Sequence, residues 1–175
     1  MIDTVKKNIG QYLLTRSTKK VKREVVLFNG FLKKSKTILM IFPEEEVLFT
    51  PAFHILRLFD FNNPRITVIV TNFIKPLIPD KYHITKIVPD EQDINSYGLP
   101  STSFLAKVNS KYDTVINLET KISLFHLGVV ANVEKKFSIG FINDRAKGIY
   151  NFQVPLDSIV PENSYKNLLN SLKMF

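Results

Sequence analysis

The chain has 175 residues, which is enough for one domain with a substantial core. Its hydrophobic fraction of 45% and its 14 phenylalanines are typical of a packed globular protein and exclude a disordered chain. It contains no cysteine, which excludes disulfides, disulfide-linked partners, zinc-thiolate sites and cysteine nucleophiles.

The net charge of +8 is concentrated near the N-terminus. Residues 1–36 hold ten basic residues against Asp3 and Glu24, whereas the remaining residues hold 14 of each sign. A nucleic-acid-binding protein more often carries its basic patch on the folded body, so this distribution argues against nucleic acid as a partner. No apolar run reaches the roughly 18 residues that span a bilayer, and the first residues lack the features of a signal peptide. We therefore expect a cytoplasmic protein.

The first predicted element is a short amphipathic helix of about 12 residues, since Ile2, Val5, Ile9 and Leu13 recur at helical spacing. The basic extension formed by residues 1–36 has three interpretations. It is a solvated tail, an anchor at the inner face of an anionic membrane, or an RNA-binding arm. We rank the membrane above RNA because interleaved aromatic side chains, which stack on bases, are missing. The contacts expected with an anionic membrane or partner are made by Lys6, Lys7, Lys19, Lys20, Lys22 and Arg23.

The body, residues 37–175, alternates strands with helices. Apolar runs predict strands at Thr37–Phe42, Arg65–Thr71, Tyr82–Pro89, Tyr112–Glu119 and Lys136–Phe141. Between and after the strands, apolar residues at helical spacing predict four helices, the last of which starts at Pro161. The apolar residues are Leu48, Ala52, Ile55 and Phe59 in the first helix, Leu105, Val108 and Tyr112 in the second, Ile122, Phe125 and Val129 in the third, and Leu168, Leu169 and Leu172 in the fourth. This alternation predicts an α/β fold with a single Rossmann-like, mostly parallel sheet flanked by helices.

Ligands of such sheets bind at the carboxyl ends of the strands. Polar residues follow the first, second and fourth predicted strands at this edge. A helix N-terminus there normally attracts phosphate, but each carboxylate placed in its field stabilises the helix by ~0.3–1 kcal/mol and repels a polyanion. The sequence thus predicts an acidic ligand-binding rim, although a solvated helix start and a plain strand-end turn explain the same residues. The rim consists of Glu44, Glu45, Glu46, Thr71, Asn72, Asn117 and Glu119.

Signatures of nucleotide, serine-hydrolase and metal sites are missing from the sequence. The six glycines show no Gly-x-Gly spacing, which excludes a dinucleotide fingerprint and a P-loop, and there is no serine nucleophile elbow. His54, His83 and His126 are scattered, without paired metal-ligand spacing. The three adjacent glutamates diverge around a helix, whereas hard cations need converging oxygens. We therefore predict no metal and no cofactor.

Four stretches together carry a resemblance to a known family over residues 37–173. They are "TILMIFPEEEVLFTPAFHILRLF", "NPRITVIVT", "KYDTVINLETKISLFHLGVVANVEKKFSIGF" and "YNFQVPLDSIVPENSYKNLLNSL". Their order resembles the N-terminal half of the heptosyltransferase-like glycosyltransferases, family 9. The resemblance implies the acceptor-side half of a two-domain GT-B fold, in enzymes that build lipopolysaccharide and related bacterial surface sugars from nucleotide-activated donors.

The resemblance also assigns a candidate catalytic residue. The family's loop Gly and Asp fall on Glu44 and Glu45, and the Asp is proposed to deprotonate the acceptor hydroxyl. Glu45 keeps the carboxylate but is longer, and a displacement of about 1 Å can cost about two orders of magnitude in rate. Glu44 removes the backbone freedom of the Gly.

No stretch resembles the family's C-terminal domain, which holds most of the nucleotide-sugar site. We therefore expect a glycosyltransferase-related domain without autonomous catalysis that binds a sugar, a lipid-linked acceptor or a protein partner in surface polysaccharide assembly. The alternative is half of a split glycosyltransferase. In that case a protein partner supplies the donor domain and Glu45 is the acceptor base.

Overall fold

The computed structural model of the chain describes residues 2–18, 31–59, 64–80, 84–108, 110–157 and 159–174. Four of the predicted membrane-contact residues, Lys19, Lys20, Lys22 and Arg23, lie outside these residues, as does His83.

From the first strand onward, α-helices separate most successive strands of the described part of the chain, whereas 3-10 turns lie between the second and third strands and between the fifth and sixth. The strands are β1 (Thr37–Ile41), β2 (Arg65–Ile69), β3 (Thr85–Ile87), β4 (Tyr112–Asn117), β5 (Lys135–Phe141) and β6 (Phe152–Val154). The α-helices are α1 (Ile2–Thr18), α2 (Phe31–Lys34), α3 (Phe49–Leu56), α4 (Thr102–Lys107), α5 (Leu124–Asn132) and α6 (Pro161–Lys173). Single 3-10 turns at Glu46–Leu48 and Arg57–Phe59 extend α3 at both ends.

The six strands form one sheet in the order β3-β2-β1-β4-β5-β6, and every neighbouring pair is parallel. This is the doubly wound order in which the chain starts at the centre and builds outward on both sides. The prediction of a Rossmann-like α/β fold is therefore confirmed. β6 was not predicted, because it has only three residues and two of them are half-buried.

Helices cover both faces of the sheet, and alternate strand residues explain why. Ile38 and Met40 of β1 enter one core cluster, with buried residues of α3 and α6. Leu39 and Ile41 point the opposite way, into a second cluster formed with α1, α4 and α5. A strand buried on both faces is nearly all apolar, which is why β1 could be predicted from the sequence.

The N-terminal helix packs against the body. Leu14 of α1 is only 2% exposed and belongs to the second cluster. A Cβ at residue 10 would collide with the backbone carbonyl of Tyr97, so the close approach of α1 requires the glycine there. Because α1 lies on its outer side, α5 is buried throughout residues 124–131. The opposite side of α1 leaves Lys6 and Lys7 exposed.

Several predicted boundaries shift. The second, third and fourth strands end at Ile69, Ile87 and Asn117, each two residues earlier than expected. Ile122 was expected on the buried face of a helix, but it is 52% exposed because the helix starts only after Ser123, whose Oγ accepts a hydrogen bond from the amide of His126 at 3.3 Å. None of the described helices is long and apolar enough to cross a membrane.

Candidate functional site

A pocket of about 540 Å³ opens at the carboxyl edge of β1, β2 and β3, and the start of α5 forms its far wall. This is the edge where parallel sheets bind ligands, next to the point at which the strand order reverses between β1 and β4. Its polar lining comes from the segments after the three strands and from α5: Glu44, Thr71, Asn72, Asp90, Glu91, Ser123 and His126. Its apolar lining includes Phe42, Ile69, Val70, Val88 and Phe125.

The lining is acidic. Glu44, Asp90 and Glu91 contribute carboxylates, whereas no lysine or arginine is among the described residues that line the pocket. Asp90 is held in place as the cap of a 3-10 turn, where its Oδ1 accepts hydrogen bonds from the amides of Gln92 at 2.8 Å and Asp93 at 3.1 Å. The pocket therefore presents negative charge and hydrogen-bond acceptors to a ligand.

The structure brings some of the predicted rim residues together. Glu44, Thr71 and Asn72 line the pocket. Glu119 is buried beside Glu44, with its Oε2 accepting a hydrogen bond from the Glu44 amide at 2.9 Å. Thr71 carries a buried Oγ1 that has no hydrogen-bond partner among the described residues.

The other three predicted rim residues do not line the pocket. Glu45 forms an ion pair with Lys121. The neighbouring Glu46 is exposed in the 3-10 turn that precedes α3. Asn117 is buried, and its Nδ2 donates a hydrogen bond to the hydroxyl of Tyr150 at 2.7 Å. Asn117 thus stabilises the end of β4, whereas Glu45 and Glu46 face the surface.

Glu119 is an unusual carboxylate because almost all of its side chain is removed from water. Its Oε1 accepts a hydrogen bond from the Lys121 amide at 2.8 Å, and its Oε2 accepts the bond from Glu44. Burial raises the pKa of Glu119 above its ordinary value, against the lowering effect of these amide hydrogen bonds. No described lysine or arginine side chain pairs with it, since the Lys121 ammonium binds Glu45 instead.

His126 lies in the first turn of α5 and is only 5% exposed. Its Nε2 is 3.9 Å from Oε1 of Glu44, and its Nδ1 is 4.0 Å from Oε2 of Glu119. Neither distance is a hydrogen bond, and Nδ1 has no partner in the part of the chain that the structure describes. Burial lowers the pKa of His126 to about 4, so the imidazole is neutral at pH 7 and offers a lone pair.

His126 was not predicted as a site residue, because the histidines are scattered along the sequence without paired spacing. It joins the site because α5 starts directly after the segment that follows β4, on the same edge as Glu44. That placement is the signal that could have identified it, since the first turn of a helix that follows a parallel strand faces the ligand edge. Asp90 and Ser123 could have been found in the same way.

Comparison of the chain with known proteins gave no match, whether to family models, to curated proteins or to solved structures.

Proposed function

We propose that this chain is a glycosyltransferase-related domain that binds a neutral sugar, free or as the sugar of a lipid-linked acceptor, in the pocket at the carboxyl edge of the sheet, and that it does not catalyse transfer by itself. The observation that carries the proposal is the acidic lining of that pocket. An ionised carboxylate accepts hydrogen bonds and donates none, so the acidic side chains match the many hydroxyl donors of a sugar. Asn72 adds an exposed amide to the polar lining.

The apolar part of the lining supports the same ligand class. Phe42 and Phe125 lie on the pocket wall. A pocket that combines hydrophobic and aromatic walls with a few placed polar groups is the usual form of a small-molecule site. The aromatic rings offer surface to the C–H face of a sugar, while the carboxylates receive its hydroxyl protons.

A nucleotide diphosphate fits this pocket poorly. Phosphate sites on such sheets use glycine-rich turns and exposed amides at a helix N-terminus. Here the turn after β1 carries Glu44, Glu45 and Glu46, and neither a lysine nor an arginine among the described lining residues opposes them. Adding a diphosphate would bring like charges together at short range, which is unfavourable even near a protein surface.

The position of Glu45 supports binding without catalysis. A general base must lie within hydrogen-bond reach of the proton that it removes. Glu45 is engaged with Lys121 and does not line the pocket. The alternative, a split glycosyltransferase in which Glu45 acts as base, requires Lys121 to release the carboxylate when the second chain binds.

Saturation-transfer difference NMR on the full chain tests the proposal. With the chain free of divalent cations, we expect saturation transfer to neutral monosaccharides such as glucose, galactose or mannose, and none to ADP or to UDP-glucose. Asn72→Leu removes an exposed amide from the pocket lining and should weaken the sugar signals, whereas Asn170→Leu, at an exposed position on α6, should leave them unchanged.

Two outcomes would overturn the proposal. Saturation transfer to the adenosine or uridine protons would show that the pocket accepts a nucleotide, as the split-enzyme alternative requires. The absence of saturation transfer to every monosaccharide would exclude sugar binding.

A further inference from the structure

Three potential metal ligands converge at the inner wall of the pocket. Glu44 follows β1, Glu119 follows β4 and His126 lies on α5, and one ligand atom from each lies within 4.8 Å of the other two. The imidazole approaches the two carboxylates through different nitrogens, with Nε2 at 3.9 Å from Oε1 of Glu44 and Nδ1 at 4.0 Å from Oε2 of Glu119. Neither gap is a hydrogen bond. Because one ion takes only one of the two nitrogens, the spacing to compare with a bound ion is the 4.8 Å within which one atom from each residue lies. With metal–ligand bonds of about 2.0–2.2 Å, two ligands of a tetrahedral ion lie about 3.3–3.6 Å apart.

The side chains themselves lack the partners that their burial requires. The unpartnered Nδ1 belongs to an imidazole that is 5% exposed, and a buried polar atom without a partner needs an explanation. Glu119 receives only backbone amides, and no described lysine or arginine side chain pairs with Glu119 or Glu44. Buried charges in proteins are normally paired or bind a metal. A cation between the three side chains would supply both the missing positive charge and the missing partner.

We propose that Glu44, Glu119 and His126 bind a divalent transition-metal ion of the Zn²⁺ type. One imidazole and two carboxylates form a donor set that suits Zn²⁺ and its neighbours better than Mg²⁺ or Ca²⁺, which prefer oxygen ligands alone. Three protein ligands leave a fourth position open towards the pocket, as in catalytic rather than structural zinc sites.

The local structure favours such a site. The two amide hydrogen bonds to Glu119 orient its carboxylate from behind, which is the usual role of groups that surround a metal ligand. Glu44 has a side chain that is 57% exposed, so it can close the remaining distance to an ion without disturbing the core. A metal site was not predicted, because the histidines lack paired spacing along the chain and the three adjacent glutamates diverge around a helix. The proposed ligands come instead from three separate segments.

Isothermal titration calorimetry of the EDTA-treated full chain with ZnCl₂ alone tests this site without any sugar, so its outcome is separate from that of the proposed function. We expect one Zn²⁺ per chain, and at least tenfold weaker binding in Glu44→Gln and in His126→Gln. The matched controls are Glu46→Gln and His54→Gln, at exposed positions outside the cluster. Both controls should bind Zn²⁺ as the unmodified chain does.

A second measurement distinguishes loss of metal binding from loss of folding. Visible absorption of the Co²⁺-loaded chain should show the intense bands of a four-coordinate ion, and Glu44→Gln should reduce them. Glu44 is largely exposed, so this variant decides the question even if circular dichroism shows that His126→Gln is unfolded. Binding that is unchanged in Glu44→Gln, loss of binding in the controls, or no binding at millimolar Zn²⁺ would overturn the proposal.

Discussion

The buried, unpartnered hydroxyl of Thr71 gives a prediction in which removing a hydrogen-bonding group stabilises the fold. Thr71 Oγ1 is buried beside the pocket and makes no hydrogen bond to any described residue. A buried polar group without a partner costs about 1–3 kcal/mol. Valine has nearly the same shape and the same branched Cβ, so Thr71→Val removes that cost and keeps the backbone preference. We expect the free energy of unfolding to rise by about 1 kcal/mol and the melting temperature to rise by about 2–4 °C.

Thr114 provides a matched control with the opposite sign. It is fully buried in β4, and its Oγ1 shares a 2.7 Å hydrogen bond with Oγ of Ser35. Thr114→Val removes that bond and should lower the free energy of unfolding by about 1 kcal/mol. The same substitution thus stabilises one site and destabilises the other.

Urea unfolding followed by circular dichroism measures both changes, because the chain has no tryptophan to report by fluorescence. If Thr71→Val is destabilising by 1 kcal/mol or more, the hydroxyl already has a partner, such as an ordered water, and the reasoning is wrong.

Three further predictions concern the fold that holds the pocket. Burial opposes ionisation of Asp113, but hydrogen bonds from Lys136 and two backbone amides outweigh it and hold the pKa of Asp113 at about 2. The resulting stabilisation is present above the ordinary pKa of 3.8 and is lost as the pH falls through about 2. Asp113→Asn should therefore lower the free energy of unfolding by about 2 kcal/mol at pH 7 and flatten its pH dependence between pH 4 and 2. An unchanged pH dependence would contradict this. Gly10→Ala brings a methyl group against the carbonyl of Tyr97 and should cost about 1–3 kcal/mol, with faster hydrogen exchange in α1; unaltered exchange would show that docking does not need the glycine. Tyr165→Phe removes a 2.6 Å hydrogen bond to a buried carbonyl after β4, and thermal unfolding should reveal a loss of about 1 kcal/mol, whereas equal stability would mean that the bond contributes nothing.

Most of the sheet could be predicted from the sequence because its central strands are buried on both faces. β1 reads as a continuous apolar run, and its start at Thr37 was predicted correctly. β6 could not be predicted in this way, since an edge strand of three residues, two of them half-buried, leaves no run to detect. The end of β2 was placed too late because Val70 is as apolar as the strand before it, although the ladder stops at Ile69.

The site was less predictable than the fold. The sequence indicated the correct edge of the sheet, but it could not distinguish Glu44, which lines the pocket, from Glu45, which turns to Lys121. That choice depends on the backbone of the turn, where Glu45 is extended and the helical turn begins one residue later. The approach of His126 to Glu119 depends on how the segments after β1 and β4 fold together, and spacing along the chain does not contain that information.

Because α1 packs against α5, the N-terminal segment contributes to the stability of the folded domain. Leu14 and Leu32 each belong to one of the two cores. A shortened protein starting at residue 37 would leave the outer side of α5 in contact with water, and we expect it to aggregate during expression. The role of the basic residues should therefore be tested with charge-reversal variants of Lys6 and Lys7 in the full chain, because these change the surface and leave the core intact.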